Sequence, residues 1–124
     1  MLINSKASLS INIKGVSAKN RSKKRICEIN KYDWCDNPLD LIKINGCEVL
    51  IELIGEEKGI SFDLVKKALE SNIHVVTANK AMLAKNGFEL FKIAEKNNVL
   101  LLYEAAVAGG IPIIKTIKNN IFLN

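Results

Sequence analysis

Short apolar segments recur along the chain and predict four β-strands. They occupy residues 8–18, 48–54, 73–78 and 99–105. In the first segment Leu9, Ile11 and Ile13 alternate with polar residues, the period of two expected for a strand. The other three segments are almost continuously apolar, which is typical of strands covered on both faces.

Two stretches with helical spacing separate the last three predicted strands. In "GISFDLVKKALESN" the apolar residues recur every three or four positions, and Ser61 is a candidate N-cap. The apolar positions of this helix are Ile60, Leu64, Val65, Ala68 and Leu69. In "GFELFKIAEKNN" the predicted apolar stripe is Phe88, Phe91 and Ala94, with Leu90 beside it.

The order of these elements indicates the fold class. A short helix is predicted at 36–45, where Pro38 falls in the first turn and its missing N–H costs little. A last helix is predicted after Pro112. Strands that alternate with helices connect by right-handed crossovers and form a parallel sheet. The predicted fold is therefore α/β, a doubly wound parallel sheet with helices on both faces, in one domain of 124 residues.

Ligands of such sheets bind at the carboxyl ends of the strands. The loops at that edge are "SAKNRSKKR", "IGEEKG", "TANKAM" and "EAAVAGG", in chain order. Lys80 lies in the third loop and Glu104 opens the fourth. The predicted fold thus makes this lysine and this glutamate candidates for one shared site.

Each of these two residues has a chemical and a structural interpretation. A partly desolvated ammonium at Lys80 can approach a phosphate or carbonyl oxygen or donate a proton, or it can simply solvate a helix start. A carboxylate at Glu104, followed by "AAVAGG" with carbonyls free to converge, suits an alkali or alkaline-earth cation. The same glycines suit a tight strand-to-helix turn. Position alone leaves both interpretations open.

The charge is basic, with a formal net charge of +5 and a pI near 9.2. Much of it lies between Lys19 and Arg25, which would suit an anionic partner. Only two of the 18 basic residues are arginines, and no aromatic residue interleaves the run. Recognition of phosphates and bases favours arginine forks and aromatic stacking, so nucleic-acid binding is not the favoured hypothesis.

The cysteines and the lengths of the apolar runs argue against a zinc protein and against a membrane or secreted protein. Cys27, Cys35 and Cys47 lack metal-ligand spacing and His74 is the only histidine, so reduced thiols and no zinc site are expected. No apolar run approaches the ~20 residues that span a membrane, and the first residues do not have the pattern of a secretory signal. A cytoplasmic location is the resulting expectation.

Two stretches, "HVVTANKAMLAKNG" and "YEAAVAGGIPIIKTIK", resemble homoserine dehydrogenase. "CEVLIELIG" and "LVKKALES" precede them in the same order, and the resemblance covers about residues 8–121. It implies an NAD(P)-binding Rossmann domain joined to a substrate domain. It also implies NAD(P)-dependent interconversion of aspartate 4-semialdehyde and homoserine, on the threonine and methionine pathway.

The resemblance implies roles for residues at the predicted sheet edge. Lys80 resembles the family lysine beside nicotinamide and substrate, which stabilises or protonates the carbonyl oxygen. Thr77 and Asn79 would border the nicotinamide and its ribose, and Ile54 and Gly55 would contact the cofactor.

Two further sets are implied in the same way. Glu104 resembles the glutamate of the family's structural cation site, usually sodium. The backbone carbonyls at the matching offsets belong to Val107, Gly109 and Ile111. Lys19 and Arg21 follow the first predicted strand and could meet a 2′-phosphate, which would favour NADP over NAD.

The chain also departs from that family. It has no G-x-G-x-x-G turn, whose amides hold the pyrophosphate at a helix N-terminus. The expectation is a partial cofactor domain over residues 1–124, without the first strand and the glycine-rich turn. The substrate domain is expected to be essentially absent, beginning near residue 105. Such a chain should bind NADP weakly or not at all, and should not turn over alone.

Three hypotheses follow from the sequence. The first is a split or degraded homoserine dehydrogenase, whose split form would have complementary fragments as partners and homoserine or aspartate 4-semialdehyde as substrate. The second is a non-enzymatic Rossmann-like interaction module. The third is a small nucleic-acid binder that uses Lys19 to Arg25.

Overall fold

Parallel strands alternate with helices in this protein, as the sequence predicts. The computed structural model describes residues 10–55 and 59–103. The predicted α/β class with a parallel, Rossmann-like sheet is confirmed. The predicted helix after Pro112 lies outside the described residues.

Within the described residues, five short strands form two sheets. Strands β1 (Gly15–Val16) and β2 (Asp33–Trp34) pair in parallel as the first sheet. The second sheet is also parallel and has the order β3-β4-β5. Its strands are β3 (Val49–Glu52), β4 (His74–Thr77) and β5 (Leu101–Tyr103).

In the part of the chain that the structure describes, three helices connect these strands. A 3-10 helix spans Pro38–Lys43, and the side chain of Asn37 caps it by accepting the N–H of Leu39 at 3.0 Å. Helix α1 spans Ile60–Glu70 between β3 and β4, and helix α2 spans Lys80–Lys96 between β4 and β5. Neither α-helix of the described part is long and apolar enough to cross a membrane.

The core lies between the second sheet and the two α-helices. The strand register places Leu50, Val75 and Leu101 side by side on one sheet face, and all three are buried. They form a single cluster with buried side chains of α1 and α2, such as Leu64 and Leu90. Both α-helices therefore lie on the same face of the three-stranded sheet.

The 3-10 helix links the two sheets. It packs on α1, and its Leu41 and Ile42 join the edge of the core cluster. The backbone of β1 at Gly15 lies directly against Leu41 and the side chain of Ile44, which follows this helix. The first sheet is thus attached to the second through the 3-10 helix.

Two details of the predicted strands are wrong. Of the predicted strand 8–18, the described part is a strand only at β1, because only these two residues have a strand beside them in the described chain. That neighbour, β2, is a fifth strand that apolar patterning did not predict, since "DW" has no alternation to detect.

The predicted faces of the helices need two corrections. Helix α1 begins after Gly59, and Ser61 is buried inside its first turn instead of capping it. Helix α2 begins at Lys80, earlier than predicted, and its buried positions are Met82, Gly87, Leu90 and Ala94. Phe88 and Phe91 face outward, 78% and 48% exposed, because the packing of α2 against α1 and the sheet sets a different phase.

Candidate functional site

Three loops meet where the strands of the second sheet end. Glu52 of β3, Thr77 of β4 and Tyr103 of β5 lie side by side in the strand register. The loops that follow these strands therefore leave the sheet at the same edge. Ile54, Gly55, Thr77, Asn79 and Lys80, all predicted site residues, lie at this carboxyl edge.

Lys80 is the first residue of α2 and its side chain is exposed. Together with Leu83, Ala84 and Tyr103 it lines an open cavity of about 260 Å³. A cation at a helix N-terminus is electrostatically unfavourable, so helix stability does not explain a lysine here. An ammonium group beside an apolar wall can instead approach a small polar ligand.

A buried carboxylate connects two of the three loops. Glu52 is 1% exposed, and its Oε2 accepts the hydroxyl of Thr77 at 2.6 Å. Its Oε1 accepts the backbone N–H of Ile54 at 2.6 Å and that of Gly55 at 3.4 Å. The Thr77 hydroxyl oxygen also accepts the N–H of Asn79 at 3.0 Å. One hydrogen-bonded chain thus runs from the loop after β3 to the start of α2.

The side chain of Asn79 extends this network to both helices. Its Oδ1 caps α2 by accepting the N–H of Met82 at 3.0 Å. Its Nδ2 donates to Ser61 Oγ of α1 at 3.0 Å, and Ser61 Oγ donates to the sulfur of Met82 at 3.7 Å. The network is buried at Glu52, Thr77 and Asn79. The polar groups of these side chains therefore hydrogen-bond within the protein and fix the shape of the edge.

Gly55 offers backbone to a ligand at this edge. Gly55 is exposed, and its φ of +81° lies in a region that residues with a side chain rarely adopt. Among the described residues, no atom lies within 4 Å of a Cβ built at Gly55, so they leave space beside the backbone. Ile54, beside it, is 39% exposed. A flat ligand can therefore approach the turn closely.

The basic loop after β1 is built around an aromatic ring. The guanidinium groups of Arg21 and Arg25 lie 5.6 and 5.8 Å from the centre of the Trp34 ring. Arg25 also donates to the backbone carbonyls of Asn20 at 2.7 Å and Lys23 at 2.9 Å, which fixes the shape of the loop. Lys19 and Arg21 are exposed at the carboxyl end of β1. They belong to the first sheet, apart from the network around Glu52.

The predicted cation site lies outside the described residues. It comprises Glu104, Val107, Gly109 and Ile111, all beyond residue 103. Within residues 10–55 and 59–103, no group of three or more acidic, histidine or cysteine side chains is placed to hold a metal ion. The cation site therefore stays a prediction.

Sequence reasoning did not assign three residues to this site: Glu52, Tyr103 and Ser61, the last of which it named only as a helix N-cap. Glu52 carried a usable signal, because a lone acidic residue inside the apolar run "EVLIELI" implies a buried, hydrogen-bonded carboxylate. Ser61 carried no comparable signal, since its partner Asn79 lies 18 residues away and meets it only after α1 and α2 pack. Tyr103 reaches the cavity through the pairing of β5 with β4.

A parallel α/β sheet whose loops and exposed lysine gather at the carboxyl edge places the chain in the Rossmann-like class, whose members bind ligands at that edge. Comparison with known families agrees with this class. A family model described as "Homoserine dehydrogenase, NAD binding domain" matches residues 1–104. The chain therefore belongs to the homoserine dehydrogenase NAD binding domain family.

Individual relatives support the same assignment. A homoserine dehydrogenase of Neisseria gonorrhoeae is 47% identical over 88 residues, covering 71% of this chain and 20% of that protein. One of Bacillus subtilis is 39% identical over 111 residues, covering 90% of this chain and 25% of that protein. A crystal structure of Staphylococcus aureus homoserine dehydrogenase matches with a TM-score of 0.68 at 31% identity, covering 76% of this chain and 24% of that one. The chain thus spans about a fifth to a quarter of these relatives.

Proposed function

We propose that this chain supplies the nicotinamide edge of a homoserine dehydrogenase. The reaction is the NADP-dependent interconversion of homoserine and aspartate 4-semialdehyde, in threonine and methionine biosynthesis in the cytoplasm. The observation that carries the proposal is the position of Lys80. It lies exposed at the carboxyl end of β4, beside an open cavity and next to the network that holds Gly55.

Lys80 would act on the oxygen of the reacting carbon. A bound nicotinamide would supply the hydride acceptor for homoserine or the hydride donor for the aldehyde. In the reducing direction the ammonium of Lys80 donates a hydrogen bond or a proton to the carbonyl oxygen as negative charge develops there. In the oxidising direction Lys80 would take up the hydroxyl proton that it gives in the reducing direction. Leu83 and Tyr103 would shield one side of the substrate from water.

The other predicted residues would bind the cofactor. The open space beside Gly55 fits a dinucleotide lying against the turn, with Ile54 as an apolar contact. Lys19 and Arg21 would meet a 2′-phosphate, which supports NADP as the preferred cofactor. Thr77 and Asn79 would border the nicotinamide through their backbone, since their side-chain polar groups bond within the protein.

A complementary chain segment is part of the proposal. Within the described residues β3 pairs only with β4, so its other edge has unpaired backbone groups. Ile51 and Leu53, which lie on or just after this strand, are 42% and 58% exposed. This apolar edge supports pairing with a further strand that belongs to the glycine-rich half of the cofactor domain.

The proposal is tested by reassembly. The chain is mixed with the glycine-rich half and the substrate domain of a homoserine dehydrogenase, and NADPH formation from homoserine is followed by absorbance. We expect activity only in the mixture. Lys80→Ala should lower kcat by about 10²–10³-fold, the loss typical of removing a group that stabilises an oxyanion. Lys92→Ala, an exposed lysine of the same helix, is the matched control. Equal rates for Lys80→Ala and the parent mixture would contradict the role of Lys80.

A further inference from the structure

Glu52 is a buried carboxylate that the reaction chemistry above does not use. It is 1% exposed at the end of β3, and no ion pair joins it to a cationic side chain in the described part of the protein. Burying a charge is costly unless hydrogen bonds compensate it. Three donors do so here, the hydroxyl of Thr77 and the N–H groups of Ile54 and Gly55. Core packing alone would be served better by an apolar residue.

The first consequence of these bonds concerns the turn after β3. The carboxylate reaches forward along its own chain and accepts from the second and third residues after it. The short contact, 2.6 Å to Ile54 N, is a charge-assisted hydrogen bond. It fixes the turn in which Gly55 takes a φ of +81° and faces open space. Without the carboxylate these two N–H groups have no acceptor in the described structure.

The second consequence concerns the start of α2. The hydroxyl of Thr77 has one proton, and it is donated to Glu52. Its oxygen is thereby oriented to accept the N–H of Asn79, whose side chain caps α2. The residue after this cap is Lys80. The carboxylate therefore bonds both to the turn at Gly55 and, through one side chain, to the residue that sets where the helix of Lys80 begins.

We infer that Glu52 is a positioning residue, whose carboxylate holds the Ile54–Gly55 turn and the start of α2 at a fixed spacing. A ligand that touches both Gly55 and Lys80 binds well only when that spacing is kept. The ligand class, a nicotinamide dinucleotide, rests on the proposed function. The mechanical link from Glu52 to Lys80 rests on the hydrogen bonds alone.

Glu52→Gln is the sharpest variant because it keeps the shape and removes one acceptor. A carboxylate presents two oxygens, one toward Ile54 and one toward Thr77. An amide presents one oxygen and one NH₂ group, so the N–H of Ile54 keeps an acceptor only if the Thr77 hydroxyl turns its proton away and accepts from the NH₂ group. Glu48→Gln is the matched control, the same change at an exposed glutamate just before the same strand.

The experiment is an NMR titration of the ¹⁵N-labelled chain with NADPH up to millimolar concentration. In the parent chain and in Glu48→Gln, the amides of Gly55 and Lys80 should shift progressively with NADPH. In Glu52→Gln the same shifts should need about tenfold more NADPH, the loss expected for one hydrogen bond to a charged group. Before any ligand is added, the Ile54 amide proton should move upfield and the Lys80 amide should also move. Wild-type affinity in Glu52→Gln, or a Lys80 amide that stays in place, would overturn the inference.

Thr77 provides a second variant in case Glu52→Gln does not fold. Thr77→Val removes the hydroxyl that links the two loops and should weaken NADPH binding to a similar extent, whereas Thr77→Ser keeps the hydroxyl and should restore it. Equal binding by Thr77→Val and Thr77→Ser would also overturn the inference. If NADPH shifts no amide of the parent chain, the isolated chain does not hold the cofactor without a glycine-rich turn, and the reassembly assay decides the proposed function. The movement of the Lys80 amide in ligand-free Glu52→Gln then decides the positioning role by itself.

Discussion

The three thiols occupy different environments, although nothing in their spacing distinguishes them. Cys27 is exposed, whereas Cys35 and Cys47 are partly buried, and all three are free. Burial raises the pKa of the Cys47 thiol, and the carboxylate of Glu48 adds to this rise. Burial also raises the pKa of Cys35. The carboxylates that add to the effect at Cys35 are Asp40, Asp33 and Asp36. A raised pKa lowers the thiolate fraction at any pH below it.

These environments predict an order of alkylation. With iodoacetamide near pH 8, Cys27 should react first and Cys47 slowest, because the thiolate is the reactive form and Cys47 is also shielded. Peptide mass spectrometry over time measures the three rates. In denaturant the rates should converge. Equal rates in the folded chain would show that Cys47 is not buried as described.

Asn79 stabilises the carboxyl edge through two side-chain hydrogen bonds, to the N–H of Met82 and to Ser61. Asn79→Ala removes the cap of α2 and the bond to Ser61, so the free energy of unfolding should fall by about 1–2 kcal/mol, as for other N-caps. Asn79→Asp keeps the capping oxygen and should lose less. Urea unfolding followed by circular dichroism gives both values. A larger loss for Asn79→Asp than for Asn79→Ala would argue against the capping role.

At this scale the sequence could predict positions but not orientations. Lys80, Asn79 and Gly55 lie at the carboxyl edge as expected, because strand ends can be located from apolar runs. The internal bonding of Thr77 could not be predicted, since its partner Glu52 lies 25 residues earlier and meets it only through strand pairing. Contacts between side chains on neighbouring strands depend on register, which the apolar pattern of a fully buried strand leaves open.

At the scale of elements, helix α2 shows why an apolar stripe can be assigned to the wrong face. Two stripes overlap in its sequence and share Ala94, the predicted one with Phe88 and Phe91 and another with Leu90. The second is buried because it continues from Met82 and lies against α1 and the sheet. The two stripes can be told apart only when the helix is known to begin at Lys80, because Met82 then extends the second stripe. This start is set by the cap at Asn79 and not by hydrophobicity.

Replacing Gly87 of this helix by alanine should stabilise the protein. It is buried in α2, and a Cβ built there comes no closer than 3.9 Å to Leu83 and Phe91, which is ordinary contact. Because alanine is the better helix former, Gly87→Ala should raise the free energy of unfolding by about 0.5–1 kcal/mol. Chemical denaturation measures the change. A fall in stability would mean that α2 packs more tightly than described.

Gly15 should respond to the same substitution with the opposite sign. A Cβ there collides with the side chain of Ile44 and lies 3.2 Å from the carbonyl oxygen of Asp33 in the paired strand. The end of the Ile44 side chain can rotate away but the backbone of Asp33 cannot move as easily, so Gly15→Ala should lower the free energy of unfolding by about 1 kcal/mol. Trp34 lies in the paired strand β2, so its fluorescence can report separation of the first sheet. Unchanged stability would show that the 3-10 helix does not press on β1.

At the scale of the whole molecule, the two sheets differ in how completely they are covered. The second sheet has both α-helices on one face, with a continuous core from Leu50 to Leu101. The first has only two residues in each strand and depends on the 3-10 helix for its attachment. The sequence could predict the α/β class, because the order of apolar and helical segments suffices for that. The division into two sheets could not be predicted, since it depends on which strands pair.

The open edge of β3 should also govern how copies of the chain associate. Unpaired strand edges with apolar side chains are templates for pairing, and a lysine on such an edge prevents it. We expect the isolated chain to associate with rising concentration, and Leu53→Lys to keep it monomeric with an unchanged Tm, because Leu53 is 58% exposed. Size-exclusion chromatography with light scattering measures the mass. Phe88→Lys is the matched control, since Phe88 is 78% exposed but lies on α2, far in sequence from the edge. If Phe88→Lys abolishes association and Leu53→Lys does not, the contact runs through α2 and the edge of β3 is already protected.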